Sequence, residues 1–228
     1  MTSDITIELV QAMATDEMVV RSARVSTKGK NEPTDDSAGL IDYLMRSRHG
    51  TPFEHNMFTF YAKAPIFVFR EWHRHRIGCS INELSGRYSI LEPTFYTPAF
   101  DRKMMNEGGS AFPKMVKGNE EQRQLMASTD RAMAETAWLA YKQRIFAGIS
   151  NELARTIIPL NIYSQMYWTV NARSLMNFLS LRVESDDSLN RSRPQWEIQL
   201  AAVQMETIFS ELMPLTHEAF VKHGRVAP

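Results

Sequence analysis

Residues 74–88, RHRIGCSINELSGRY, place Arg74, His75, Arg76 and Arg87 beside Asn82, Glu83, two serines, Tyr88 and Cys79, the only cysteine of the chain. Two arginines at one helix end can grip a phosphate or carboxylate through charge-assisted hydrogen bonds, each contributing roughly 1.5–3 kcal/mol when partly desolvated. Gly86 lets backbone approach a ligand closely. A nucleophile is also open. Ser85 would need a positioned base, for which His75 is the local candidate, and Cys79 would need the electropositive, partly exposed setting that Arg74 and Arg76 could supply. The bland alternatives are a solvated helix face balanced by Glu71 and a cysteine acting as a small buried hydrophobe.

Two further polar sets stand apart in sequence. Glu152 and Arg155 have helical spacing, and NARSLMNFLSLR, residues 171–182, carries Asn171, Arg173, Asn177 and Arg182. Arg173 and Asn177 are four apart and share a helix face, while Leu175, Met176, Phe178 and Leu179 form an apolar ridge, so this helix is half core. The third set, RHGTPFEH, offers His49, Thr51, Glu54 and His55. No H-x-x-x-H or C-x-x-C spacing accompanies its histidines, so no metal is expected there.

These groups must be held by ordinary elements. Alternation of Ile5, Ile7 and Leu9 predicts a strand over 5–10, and 16–24 follows as a helix. Residues 26–37, STKGKNEPTDDS, predict a loop ending in a helix cap, with a helix over 38–48 stopped by Gly50. A strand over 57–63 leads to a helix opening at Pro65 and reaching Arg76, which places Glu71, Arg74 and His75 on one face and the cations in the last turn. Residues 101–121 show no period and predict a flexible insertion or lid. A long helix over 121–146 comes next, then a short helical piece capped by Ser150 or Asn151 and ending before Pro159. A strand over 161–170, a helix behind it and an amphipathic segment over 193–223 kinked at Pro214 complete the chain.

With 228 residues the chain is expected to form one domain. Lys plus Arg and Asp plus Glu are equal at 26 each, so no global field collects nucleic acid or an anionic membrane, and any anion recognition is local. A single cysteine forbids an internal disulfide framework, no apolar run approaches the roughly 18 residues of a membrane span, and MTSDITIELV lacks the regions of a signal peptide. A cytoplasmic protein is expected. Long helices mixed with strands, without βαβ alternation or a G-x-G-x-x-G turn, predict an α+β fold with a mainly antiparallel sheet.

Taken jointly, the three sets resemble the flavin-dependent thymidylate synthases. That family's signature opens with Arg-His-Arg and continues S-x-N-E-x-S-x-R-Y, matched here by RHR at 74–76 and SINELSGRY at 80–88. HGTPFEH at 49–55, SARVS at 22–26 and NARSLMNFLSLR at 171–182 are similar to the family's motifs in the same order. The resemblance implies an enzyme making dTMP from dUMP, with methylenetetrahydrofolate as one-carbon donor and FAD reduced by NADPH, and with no metal. It implies FAD contacts at Thr51, Arg74, His75, Arg76, Glu83, Asn171, Arg173 and Asn177. Substrate contacts are implied at Glu71, Arg74, Glu83, Leu84, Ser85, Gly86, Arg87, Arg155 and Arg182. Arg182 becomes the catalytic group, acting electrostatically on the pyrimidine, while Ser85 orients the nucleotide and Cys79 packs. A homotetramer whose sites combine subunits is implied as well.

Two departures from the family pattern stand out: eight residues rather than seven separate the RHR triplet from Ser85, and Glu71 occupies a position where glutamine is common. Competing functions are a nucleotide-binding regulatory module without flavin chemistry and an Arg/His/Tyr phosphoryl- or strand-transfer enzyme using Tyr88. Neutral net charge argues against the latter.

Overall fold

The computed structural model describes residues 1–29, 37–110 and 113–228. The cap expected at the end of the 26–37 loop, and the centre of the 101–121 segment, lie outside them. Thr15 caps the first helix by accepting from the Met18 amide, so the chain opens as β1 (Thr6–Met13) and α1 (Asp16–Lys28). There follow α2 (Ser37–Arg46), α3 (Thr51–Glu54), β2 (Met57–Pro65), α4 (Ile66–Trp72) and β3 (Cys79–Glu83). A hairpin of β4 (Met105–Asn106) and β5 (Met115–Val116) precedes α5 (Glu120–Phe146) and α6 (Asn151–Ala154). A 3-10 turn (Arg155–Ile157), β6 (Tyr163–Asn171), α7 (Ala172–Arg182), α8 (Trp196–Leu212) and α9 (Pro214–Lys222) close the chain. No helix among the described residues is long and apolar enough to cross a membrane.

The fold is α+β. Four strands form a sheet in the order β1-β2-β6-β3. Pairing of β6 with its neighbours is antiparallel: the Leu84 amide donates to Gln165 O and the Asn171 amide to Gly78 O, while the Ile66 amide donates to Ile162 O and the Ala172 amide to Asn56 O. The hydroxyls of Thr59 and Thr169 meet across β2 and β6 at 2.9 Å.

Contacts group the residues into two compact units interleaved in sequence. One comprises Met1–Ile5, Lys63–Glu71 and Glu83–Met166. Its core joins Phe95, Ala134 and Ile162 to Ile66, Leu91, Trp138 and Ile158, and the hydroxyl of buried Tyr141 accepts from the Leu91 amide at 3.1 Å. The other comprises Thr6–Ala62, Trp72–Asn82 and Tyr167–Pro228. Here Phe58 and Phe60 of β2, Trp168 of β6, Phe178 of α7 and Phe209 of α8 are fully buried, with Phe58 edge-on to Phe209 and Phe60 stacked on Trp168.

Two expectations change. The helix after β2 ends at Trp72, not Arg76: the His75 amide donates to Trp72 O at 2.9 Å, which closes the helix in a tight turn, and Gly78 at φ +62° swings the chain into β3. Arg74, His75 and Arg76 therefore stand in a connection, and the shared helical face with Glu71 does not exist. Secondly, α2 stops at Arg46, where Arg48 at φ +60° takes the left-handed position and the His49 amide donates to Leu44 O, so Gly50 is not the stop signal. The aperiodic 101–121 segment, expected as a flexible insertion or lid, holds among its described residues the β4–β5 hairpin, pairing Met105 with Val116 and Asn106 with Met115, and a capping box at Asn119 and Gln122 that starts α5.

Candidate active site

Helix α7 is the scaffold of a cavity of about 490 Å³ within the second unit. Its buried ridge of Leu175, Met176, Phe178 and Leu179 fixes the helix, which turns Arg173, Ser174, Asn177 and Leu181 towards the cavity at helical spacing. Asn171 caps α7 by accepting from the Ser174 amide at 2.8 Å. The 74–77 connection forms another wall with Arg74, His75, Arg76 and Ile77, and Trp168, Glu54, Arg182, Ala227 and Pro228 complete the lining.

Arg182, the last residue of α7, donates from Nε to Nε2 of His75 at 3.1 Å. The His75 ring packs edge-on to Phe178, 4.8 Å between centroids, and its carbonyl accepts from Cys79 Sγ at 3.2 Å. Burial first, and then the Arg182 charge, push the His75 imidazole down to about 4, so it is neutral at pH 7. Neither Arg74 nor Arg76 has an ion-pair or hydrogen-bond partner among the described residues, and both are exposed at the cavity edge.

Arg173 is held on several sides. Its Nη1 pairs with Glu54 at 2.6 Å and its Nε donates to Pro228 O at 2.6 Å. Gly50 backs it so closely that an added Cβ would lie 2.4 Å from Arg173 Nε, which accounts for a glycine there at an ordinary φ. Arg173 also borders a second cavity of about 590 Å³, lined by Ser22, Ser26, Arg48, His49, Gly50 and Thr51 among others. Arg48 reaches the same terminal segment, donating to Val226 O at 2.6 Å.

The expected site residues thus fall into two sets. Arg74, His75, Arg76, Arg173, Asn177 and Arg182 border the α7 cavity, and Thr51 borders the neighbouring one. Asn171 does not border either: its side chain is committed to the α7 cap and to a close approach by Gly78. Glu71, Glu83, Leu84, Ser85, Gly86, Arg87 and Arg155 belong to the first unit. There the Tyr88 and Ser89 amides donate to Ser85 O, and Ser85 Oγ accepts from the Arg87 amide, which folds 85–89 into a turn. Gly86 lies so near Arg155 that an added Cβ would be 3.3 Å from its Cδ, and Arg87 pairs with Glu152 at 3.1 Å. Sequence reasoning missed Trp168, Ser174, Leu181 and the 227–228 segment as cavity wall. For the last no local signal exists, because the Arg173–Pro228 contact spans 55 residues.

Comparison with known proteins shows the family and the fold. Residues 8–215 match the family described as Thymidylate synthase complementing protein. The flavin-dependent thymidylate synthase of Streptomyces coelicolor is 49% identical, covering 99% of this chain and 94% of its own length. That of Tropheryma whipplei is 50% identical, covering 99% and 96%. Among solved structures, a UMP/dUMP methylase PolB from Streptomyces cacaoi bound with 5-Br UMP superposes with a TM-score of 0.93 at 46% identity, over 99% of this chain and 97% of that one. A second structure of that methylase, bound with 5-Br dUMP, gives a TM-score of 0.91 at 43% identity. With a family match over residues 8–215 and relatives of this identity covering almost the whole chain, the chain belongs to the flavin-dependent thymidylate synthase family.

Proposed function

We propose that this chain methylates dUMP at C5 to give dTMP, taking the carbon from methylenetetrahydrofolate and reducing equivalents from NADPH through FAD. The observation that carries this is the α7 cavity, where Arg182 donates to a neutral His75 and where Arg74 and Arg76 have no ion-pair or hydrogen-bond partner among the described residues. The donor set suits FAD. Arg74 and Arg76 offer guanidinium forks without partners among the described residues for a pyrophosphate, Asn177 offers an amide, and Trp168 and Leu181 give the cavity an apolar wall. When bound, FAD supplies the hydride equivalents that turn the transferred methylene into a methyl group.

The chain's own groups do the rest. The Arg182 guanidinium stabilises negative charge developing at N3 and O4 of the pyrimidine and so raises the nucleophilicity of C5. Arginine is never a sensible base at neutral pH, so its role is electrostatic. Arg87, Arg155 and the backbone of the 84–87 turn hold the nucleotide, with Gly86 setting the approach. Ser85 has its hydroxyl engaged by the Arg87 amide, in keeping with orientation rather than attack. A homotetramer with sites shared between subunits fits helix α5, which leaves Leu125, Met133, Leu139 and Phe146 exposed at 64%, 61%, 55% and 95%. The relative bound to 5-Br UMP makes UMP the second substrate to try.

The test is direct. Purified protein should be yellow or take up added FAD, bleach with NADPH, and release tritium from C5-labelled dUMP or UMP in the presence of methylenetetrahydrofolate. Arg182→Ala should abolish tritium release and leave FAD bound. Protein that neither takes up FAD nor releases tritium from either nucleotide refutes the proposal.

A further inference from the structure

We infer that His75 is a positioning residue for Arg182: its Nε2 lone pair accepts the Arg182 Nε–H and sets the plane in which the guanidinium meets the pyrimidine. This rests on the function proposed above, and it gives His75 a task different from a flavin contact.

An arginine at a helix end has a long, rotamer-rich stem, and an electrostatic catalyst works only if its dipoles are fixed before charge develops. The 3.1 Å bond at Nε fixes the guanidinium through its own edge and uses no Nη–H of the fork. Because Nε can only donate, His75 Nε2 must be unprotonated, and the neutral ring carries its proton on Nδ1. Ring and backbone of His75 are each held: Phe178, one turn before Arg182 on α7, packs edge-on with the ring at 4.8 Å between centroids, while the His75 amide is tied to Trp72 O at 2.9 Å and its carbonyl accepts from Cys79 Sγ. A helix cap could be met by many side chains, but Phe178 and Arg182 sit four apart on one helix, so the residue that packs on the first is in register to orient the second.

The charged surroundings keep the acceptor available. Arg182, Arg74, Arg76 and Arg173 border the same cavity, and the acidic side chain that borders it among the described residues, Glu54, is already paired with Arg173. Burial and the Arg182 charge both oppose an imidazolium. A protonated His75 would present a donor to a donor and release the guanidinium.

Two substitutions separate acceptor from packing. His75→Phe keeps an aromatic ring on Phe178 and removes the acceptor, whereas His75→Gln keeps an oxygen acceptor near the Nε2 position. With dUMP, methylenetetrahydrofolate and NADPH, His75→Phe should lower kcat about 100-fold, the scale of a misplaced catalytic group, with KM for dUMP and flavin content near wild type. His75→Gln should recover turnover to within several-fold. Histidine-selective ¹⁵N NMR gives a reading independent of turnover: wild-type His75 should be the Nδ1–H tautomer at pH 7, and Arg182→Ala should raise its titration midpoint. Wild-type kcat in His75→Phe, equal losses in both variants, loss of flavin in both, or an Nε2-protonated His75 overturns the inference. Wild-type protein that turns over neither nucleotide refutes instead the function proposed above, and the tautomer and titration shift then decide the hydrogen bond alone.

Discussion

Replacing Gly78 by alanine should unlock the cavity wall from behind. Gly78 sits at φ +62°, where an alanine costs about 1–2 kcal/mol from its Cβ and carbonyl clash. The new methyl would also lie 2.2 Å from Asn171 Nδ2 and 2.5 Å from Ser174 Oγ, so the Asn171 side chain must leave. That side chain caps α7 through the Ser174 amide, and losing such a cap costs a further 0.5–2 kcal/mol or about that. The sum is roughly 1.5–4 kcal/mol, or a fall of about 0.75–2 M in the urea midpoint at slopes near 2 kcal/mol/M. Gly148→Ala is the control. Gly148 has φ +79° and nothing within 4 Å of an added Cβ, so it should lose only the conformational part. Urea unfolding followed by far-UV circular dichroism measures both, and the double variant Gly78→Ala/Asn171→Ala should be less destabilised than the two single losses added together. A Gly78→Ala protein no less stable than Gly148→Ala, or strict additivity with Asn171→Ala, refutes the coupling between turn and cap.

Two other outcomes follow from groups outside that turn. Burial works to raise the Glu206 carboxyl, but hydrogen bonds from His217 and Arg225 outweigh it and hold the pKa at about 2 against an ordinary 4.5. The stabilisation, about 3 kcal/mol, is therefore complete above pH 4.5 and lost as pH falls towards 2, so wild type and Glu206→Gln should differ in thermal midpoint at pH 7 and converge near pH 2. A constant gap across that range contradicts the buried pair. Cys79→Ser keeps a donor for His75 O and should leave turnover within about twofold, whereas a large loss with normal flavin content would revive the nucleophile.

Periodicity made α7 legible before any coordinate, because an apolar ridge and a polar stripe at i, i+4 leave one way to lay the helix down, and Arg173 and Asn177 do border one cavity. Strand β3 was not legible. Its side chains alternate between partly buried and exposed positions with no strong apolar row, and its pairing partner β6 lies some 80 residues onward in hydrogen bonds such as Leu84 to Gln165. The helix end at Trp72 was missed for a related reason. Local propensity favours continuing through Arg76, but the packing of buried Trp72 on Trp168 and of His75 on Phe178 decides it, and both partners are distant in sequence. Of the motif residues, those of RHR, Arg173, Asn177 and Arg182 border the cavity, and the motifs are silent on what holds them: Gly50 behind Arg173, Phe178 beside His75, and the carbonyls of the terminal segment.

Those carbonyls have a practical consequence. Val226 O and Pro228 O are engaged by Arg48 and Arg173, and Arg225, just upstream, is 5% exposed and bound by both of its terminal nitrogens to Glu206. Main-chain carbonyls of this segment thus help fix Arg48 and Arg173 at the edges of the two cavities, so loosening the segment by Arg225→Ala should change the shape of both cavities without altering any residue that lines them.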